Sequence, residues 1–157
     1  MKKLLRFLFN SRHCLIFTLV FTLAAVPAFA AEYRSVSKDG VNIRSGPDTK
    51  SEVLWEVFKA FPLKVIKRQG KWVQTEDFEG DKGWIYSPLL SKKKTVIVKV
   101  KTANMRVGPS TNYEIIASVK YGVVFSPGET DNEWVKVSHE DGTSGWIHSK
   151  LIWPKNF

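Results

Sequence analysis

The sequence VNIRSGPDT occupies residues 41–49 and recurs as ANMRVGPST at residues 103–111, which is 62 positions further along the chain. In each copy a stretch of alternating apolar and polar residues leads directly into a Gly-Pro pair. Proline presets the backbone for a tight turn, and a short polar residue follows it in both copies. The pattern predicts a strand and a turn at each place, and its recurrence indicates two copies of one folding unit.

The match between the two copies extends far beyond this stretch. Fifteen positions between residues 42 and 90 are identical to the position 62 residues later, without a gap. They include two tryptophans, three glycines and a proline, which chance does not plausibly place in register. The most informative identities are the pairs Trp72/Trp134, Gly83/Gly145, Trp84/Trp146 and Ile85/Ile147.

The repeat divides the chain into domains. We place the first copy at residues 31–90 and the second at 96–157, joined by a polar connector at 91–95. A unit of this size can form one small domain that folds alone but is marginally stable. Because the connector is short, we expect limited relative motion of the two copies or a fixed interface between them.

Both copies are predicted to be all-β. Turn signals separate short runs rich in valine, isoleucine and aromatic residues, and no segment has a sustained helical period. Units of this length can close only a small barrel, for which we expect five to six strands. In the first copy the candidate strands are Tyr33 to Ser37, Val41 to Arg44, Val53 to Val57, Phe61 to Ile66, Lys71 to Thr75 and Lys82 to Tyr86.

The combined motif resembles the bacterial Src-homology-3 (SH3) domain family. It consists of N-x-R-x-G-P, a hydrophobic strand, Trp-Val and Gly-Trp-Ile, and both copies carry it. The resemblance covers essentially all of the chain after residue 30 and implies two tandem SH3-like barrels. It also implies binding of cell-wall peptides or envelope proteins rather than catalysis. The tandem arrangement is similar to small exported envelope proteins of Gram-negative bacteria.

The first 30 residues have the features of an export signal. Four basic residues accompany an apolar run from Cys14 to Val26, and residues 28–30 (AFA) match a cleavage signal. We expect cleavage after Ala30 and a mature protein in the periplasm or cell envelope, without stable membrane insertion. The alternative is an uncleaved anchor, although the run is short for a full span and Pro27 interrupts its end.

Charge and composition argue against several classes of function. The net charge of +9 falls to +5 without residues 1–30, and three of these charges lie together at residues 92–94 (KKK). This is not the basic stripe of a nucleic-acid binder. The single cysteine lies in the export segment, and the two histidines that follow it lack metal-site spacing. We therefore expect a monomer with no cofactor, no metal ion and no nucleic-acid partner.

Three aromatic residues of the first copy have no aromatic counterpart in the second. They are Trp55, Phe58 and Phe61, where the second copy has alanine, lysine and valine. A repeated core does not need this extra apolar bulk in one copy only. We interpret these residues either as an inter-domain face or as a partner site. Tyr113 offers a smaller version of the same argument in the second copy.

Arginines and tryptophans near the turns are the other candidate binding residues. Arg44 and Arg106 either pair with a carboxylate such as Glu52 or Glu114, or offer a guanidinium fork to a ligand carboxylate. Trp72 and Trp134 each follow an exposed turn and suit either the core or a ligand groove. We expect the indoles of Trp84 and Trp146 to fill the barrels, with a place in a ligand groove as the alternative.

The leading functional hypothesis is a non-catalytic module that recognises a cell-wall peptide. The peptide would lie between the Gly-Pro turn and a strand-connecting turn after Val65. A scaffold subunit of an envelope complex is the alternative, and a hidden wall hydrolase using Asp77 or Asp81 is a third reading that lacks any nucleophile-elbow signal. The candidate binding residues are Arg44, Trp55, Phe58, Phe61, Trp72, Arg106, Tyr113 and Trp134.

Overall fold

The computed structural model describes residues 31–157, which form two antiparallel sheets. The predicted export signal at residues 1–30 lies outside the described residues. Within residues 31–157 no helix has the length and apolar character needed to cross a bilayer. The all-β prediction is confirmed.

The first sheet is built from residues 33–91, and we call it the first barrel. A single 3-10 turn, Ser87–Leu89, precedes its last strand. The strands are β1 (Tyr33–Val36), β2 (Val41–Arg44), β3 (Val53–Val57), β4 (Pro62–Gln69), β5 (Trp72–Glu76), β6 (Lys82–Tyr86) and β7 (Leu90–Ser91).

The second sheet is built from residues 96–153, and we call it the second barrel. A second 3-10 turn, Ser149–Leu151, again precedes the last strand. The strands are β8 (Val96–Val98), β9 (Thr102–Arg106), β10 (Ile115–Lys120), β11 (Val124–Asp131), β12 (Trp134–Ser138), β13 (Ser144–His148) and β14 (Ile152–Trp153).

The two sheets share one topology. The first has the strand order β3-β2-β6-β5-β4-β1-β7, and the second has β10-β9-β13-β12-β11-β8-β14, which is the same path with every number advanced by seven. Each sheet has one strand more than the five to six expected, because two residues after the 3-10 turn pair back onto the first strand. The tandem pair of small SH3-like barrels is confirmed.

One predicted strand is longer than expected. The strand predicted at Phe61 to Ile66 continues as β4 to Gln69, and the turn that follows it comes at Gly70, which has a φ of 55°. A register shift between Val65 and Lys67 allows the strand to bend while it stays paired with β5.

The glycine of Gly-Trp-Ile is required by close packing inside each barrel. A Cβ on Gly83 would lie 2.2 Å from Cγ2 of Ile43, and a Cβ on Gly145 would lie 2.6 Å from Cγ of Met105. Any larger residue would push a core side chain out of place. This close approach explains why the motif is identical in both copies.

The two cores meet at β8. Successive side chains of a strand point to opposite faces. Val96 and Val98 accordingly lie in the core of the second barrel, while Ile97 lies in the core of the first. All three side chains are buried. Their unbroken apolar run follows from burial on both faces.

Ile97 belongs to a row of three apolar side chains that joins the barrels. Val124 and Trp153 are its cross-strand partners, and both pack against the core of the first barrel. We call Ile97, Val124 and Trp153 the apolar row. The ring of Tyr33 meets Trp153 edge-on at a centroid distance of 5.3 Å. The expected interface between the two copies is thus an apolar contact, in which residues of the second barrel pack on the core of the first.

The connector adds polar contacts to this interface. The hydroxyl of Thr95 donates to the carbonyl of Ala60 at 2.7 Å, and the hydroxyl of Ser35 donates to the carbonyl of Lys93 at 2.8 Å. Thr95 and Ser35 are both buried, so each hydroxyl needs such a partner. These bonds hold the connector against the first barrel.

A third contact joins the two barrels away from the connector. The hydroxyl of Tyr121 donates to the carboxylate of Glu79, and its ring lies 5.3 Å from that of Phe78. The bond to Glu79 raises the pKa of Tyr121 to about 12, because it stabilises the protonated phenol. Phe78 in turn contacts the buried ring of Phe61 at 5.9 Å.

Candidate functional site

A groove of about 530 Å³ opens on the outer face of the first barrel. Ile43, Val73 and Ile85 point into the core. Strand alternation therefore turns their neighbours outward. The groove is lined by Lys38, Gly40, Val41, Asn42, Arg44, Asp48, Thr49, Trp72, Tyr86 and Leu89.

Two aromatic rings form one side of this groove. Trp72 on β5 is paired in register with Tyr86 on β6, and the ring centroids lie 5.6 Å apart at 57°. Both side chains are half-buried, so each keeps an accessible surface. Such rings offer a ligand a flat apolar surface with a polar edge.

Arg44 also lines the groove, next to the Gly-Pro turn. Its Nη1 donates to the carbonyl of Ser51 at 2.8 Å. The predicted ion pairs of Arg44 with Glu52 and of Arg106 with Glu114 do not occur in residues 31–157. The turn carbonyl takes the guanidinium instead, because a backbone acceptor in a turn needs a donor.

Asp48 organises the same turn. Its carboxylate accepts the amides of Lys50 and Ser51 at 2.7 and 2.8 Å, and the hydroxyl of Ser51 at 2.9 Å. The Ser51 hydroxyl bond and the two amide bonds lower the pKa of Asp48. The groove thus combines a fixed anion with the cations of Arg44 and Lys38.

The second barrel repeats the arrangement with different side chains. Trp134 lies 5.2 Å from His148, which replaces the tyrosine, and Arg106 donates to the carbonyl of Tyr113 at 2.7 Å. Tyr113 is half-exposed, and its ring packs across Gly108, where a Cβ would meet it at 2.8 Å. Positions equivalent to Lys38 and Asp48 hold valine and serine, so the fixed charges are missing.

Trp84 and Trp146 do not join the core clusters as predicted, although Trp84 is buried, with 7% of its surface exposed. Gly83 and Ile85 face the core, so Trp84 faces outward between them. Its ring is covered by Lys67, whose ammonium lies 5.3 Å from the ring centroid, and Lys136 lies 5.9 Å from Trp146 in the same way. Both indoles therefore lie on the outer side of their strands, beneath a lysine side chain, and not in the core clusters.

The three unmatched aromatics do not gather on one exposed surface. Phe61 is buried in the first core, and Trp55 is partly buried against it, with its ring over Gly83. Phe58 meets Phe61 edge-on at 5.4 Å and remains 43% exposed. Only Phe58 therefore offers substantial free surface for a ligand.

Tyr86, Lys38 and Asp48 are groove residues that the sequence analysis did not select. Tyr86 carried a usable signal, because counting from the turn at Gly80 pairs it with Trp72 across the β5–β6 hairpin. Lys38 and Asp48 lie in turns, and their convergence depends on the tertiary fold.

The acidic turn at residues 76–81 has a structural role. A carboxylate oxygen of Asp77 accepts the amides of Glu79 and Asp81 at 2.9 and 3.0 Å. Burial raises the pKa of Asp77, against the effect of these bonds. Asp77, Glu79 and Asp81 lie close together, but Asp77 caps the turn and Glu79 accepts from Tyr121.

Comparison with known proteins identifies the fold of both halves. The sequence profile described as "Bacterial SH3 domain" matches residues 37–92 and 99–154. A Bacillus subtilis (strain 168) protein, provisionally named N-acetylmuramoyl-L-alanine amidase YrvJ, is 33% identical over 154 residues. The match covers 88% of this chain but only 30% of that protein, so the chain spans less than a third of its relative's length.

Two solved structures show weaker similarity. An NLPC/P60 family protein from Bacillus cereus ATCC 10987 is 15% identical with a TM-score of 0.35, over 77% of this chain and 55% of that one. NlpC2 from Trichomonas vaginalis is 13% identical with a TM-score of 0.36, over 78% and 48% respectively.

Proposed function

The chain belongs to the bacterial SH3 domain family in both halves, and on this premise we propose that it is a non-catalytic binding module that recognises a cell-wall peptide in the envelope. The observation that carries the proposal is the groove of the first barrel. There the paired rings of Trp72 and Tyr86 line a cavity of about 530 Å³ together with Arg44. That volume suits a short peptide segment.

The charges of the groove suit a peptide that carries both an amine and carboxylates. Arg44 and Lys38 can bind a ligand carboxylate, and Asp48 can bind an amine. The lowered pKa of Asp48 keeps its carboxylate ionised at neutral pH. Stem peptides of the bacterial wall have this mixture of groups, with small aliphatic side chains that can lie against an aromatic surface.

The named relative supports a place at the cell wall. Its name refers to an amidase acting on N-acetylmuramoyl-L-alanine, and this chain matches a part equal to 30% of its length. We propose that this part positions a protein on the wall, and that the present chain performs the same positioning. Wall cleavage is not included in the proposal, because neither Asp77 nor Asp81 lines the groove of the first barrel.

Calorimetric titration with a soluble peptidoglycan fragment carrying one stem peptide tests this function. Trp72→Ala should weaken binding by about tenfold or more, because the variant removes a central aromatic contact. Trp134→Ala is the matched control in the second barrel and should change affinity by less than about threefold. Circular dichroism should show both variants folded; if Trp72→Ala is not, Lys38→Glu replaces it.

Three outcomes would contradict the proposal. Wild-type protein that binds no fragment at low ionic strength would exclude peptide recognition. Equal loss in Trp72→Ala and Trp134→Ala would exclude the groove of the first barrel as the principal site. Release of soluble fragments from purified peptidoglycan sacculi incubated with the protein would show that the chain is an enzyme.

A further inference from the structure

A second cavity of about 690 Å³ lies between the two barrels, apart from the groove described above. We call it the inter-barrel cleft. Phe58, Lys59 and Ala60 line it from the first barrel, and Lys93 lines it from the connector. From the second barrel it is lined by residues 122–126 and 138–140.

The walls of the cleft are held in place. Thr95 donates to the carbonyl of Ala60 at 2.7 Å, and the backbone amide of Lys59 donates to Asp39 at 2.8 Å. Val124, on the opposite wall, belongs to the apolar row that packs on the first core. These contacts fix the two walls of the cleft relative to each other.

One wall contains a strained residue. Ala60 has a φ of 67°, in the left-handed region that disfavours residues with a Cβ, and its equivalent in the second barrel is Gly122, with a φ of 82°. Both residues line the cleft. The first barrel keeps a methyl group at a position where glycine would be relaxed. Strain of this kind concentrates at ligand sites.

Phe58 is the second unusual feature of this wall. It is 43% exposed beside the cleft, whereas the repeat has a lysine at the same position. The buried neighbour Phe61 already fills the core beneath it. The free face of Phe58 is thus available to cover an apolar part of a ligand.

The rim of the cleft carries charges of both signs. Lys59 and Lys93 supply cations, while Asp39 and Glu140 supply anions. His139 also lies on the rim, against the ring of Phe125. A ligand that carries only a positive or only a negative charge would be repelled by the rim residues of the same sign. A ligand that carries one charge of each sign could form an ion pair with each set of rim residues.

We propose that the inter-barrel cleft is a second binding site, which takes a short peptide carrying a free amine and a free carboxylate. The apolar body of the peptide lies on Phe58 and Ala60. Its carboxylate faces Lys59 and Lys93, and its amine faces Glu140. This site is separate from the groove of Trp72 and can exist whether or not the groove binds the cell wall.

The test is an amide-resolved NMR titration of the full-length protein with the tripeptide Ala-Ala-Ala, first with free termini and then with an acetylated N-terminus and an amidated C-terminus. The free peptide should produce saturable shifts at the amides of Ala60, Thr95 and Gly122. Capping should weaken binding by about tenfold, because it removes both terminal charges. Shifts confined to the Trp72 groove, or absent altogether, would overturn the proposal.

Three variants separate the cleft from the groove. Phe58→Ala should weaken the cleft titration by about fivefold or more, and Lys93→Glu should do the same without touching any core residue. Trp72→Ala should leave the cleft shifts within about twofold. If Phe58→Ala proves unfolded, Lys93→Glu decides. Unchanged affinity in Lys93→Glu, or loss of the cleft shifts in Trp72→Ala, would contradict the site.

Discussion

The two barrels share a topology, but they differ at the face through which they touch. In each barrel, three paired residues on the first, fourth and last strands form a row across the sheet. The residues of this row are polar or small in the first barrel, and large and apolar in the second. In the second barrel this row packs on its neighbour's core, whereas in the first barrel Ser35 of the row donates a hydrogen bond to Lys93 of the connector. The rows are Ser35, Pro62 and Ser91 in the first barrel and Ile97, Val124 and Trp153 in the second.

This difference shows which parts of the repeat were free to change. Positions that close each barrel, such as Gly83 and Gly145, are identical because the interior leaves no space for another residue. Some positions on outer faces are identical, such as Trp72 and Trp134, but others have diverged, and that divergence distinguishes the barrels. One outer face joins the barrels together, and another carries the charged groove of the first barrel.

Ile97→Ser should have the largest effect, because it gives the second barrel the residue that the first has at this position. Ile97 is fully buried in the first core, so the free energy of unfolding should fall by about 2–5 kcal/mol. Denaturant unfolding measures this change. Ile115→Ser is the control: its side chain is 47% exposed, and the loss should be below about 1 kcal/mol. Similar losses in both variants would contradict the joined interface.

Gly83→Ala and Gly145→Ala test what the barrels have in common. Each should lower the free energy of unfolding by about 1–3 kcal/mol, since the added methyl group would overlap Ile43 or Met105. Gly128→Ala serves as the control, because its Cβ would come no closer than 3.6 Å to a backbone oxygen. A harmless Gly83→Ala would mean that the barrel centre is looser than described.

Ala60→Gly and Gly122→Ala should change the free energy of unfolding in opposite directions, although the two residues occupy equivalent turns of the two barrels. Both positions have a positive φ, so glycine is relaxed at either and alanine is strained. Ala60→Gly should stabilise the protein, and Gly122→Ala should destabilise it, each by about 1 kcal/mol or less. Thermal unfolding of the two variants measures both shifts. Shifts of the same sign would argue against the left-handed conformation at Ala60.

Asp48→Ser should have the smallest effect, and the effect should depend on pH. The folded protein lowers the pKa of Asp48 below its ordinary 3.8, so its carboxylate stabilises the fold above that pH and loses this contribution as the pH falls through the lowered value. The variant, which copies Ser110, should be less stable than wild type near neutral pH and similar to it near pH 2. A pH-independent difference would contradict the role of the carboxylate.

Much of the fold could be predicted from the sequence, because the signals are local or repeated. The strand at Val41–Arg44 was predicted to the residue, since alternation and a Gly-Pro turn define both of its ends. The burial of Ile97 in the other barrel's core could not be predicted in the same way. A run of three apolar residues indicates burial on both faces, but it does not identify the neighbour.

The candidate site was harder to predict than the fold. Trp72 and Arg44 both line the groove, because each flanks a turn and faces outward from its strand. Trp84 was assigned to the interior because the glycine before it permits close backbone approach and its indole can fill a barrel, although strand alternation with Ile85 already turned it outward. Residues such as Lys38 enter the groove only through the folding of distant turns.

Co-sedimentation with purified peptidoglycan sacculi at low ionic strength tests the central functional proposal most directly. We predict that the wild-type protein pellets with the sacculi, that Trp72→Ala remains mostly in the supernatant, and that Trp134→Ala pellets nearly as well as wild type. A folded wild-type protein that stays in the supernatant would contradict recognition of the cell wall.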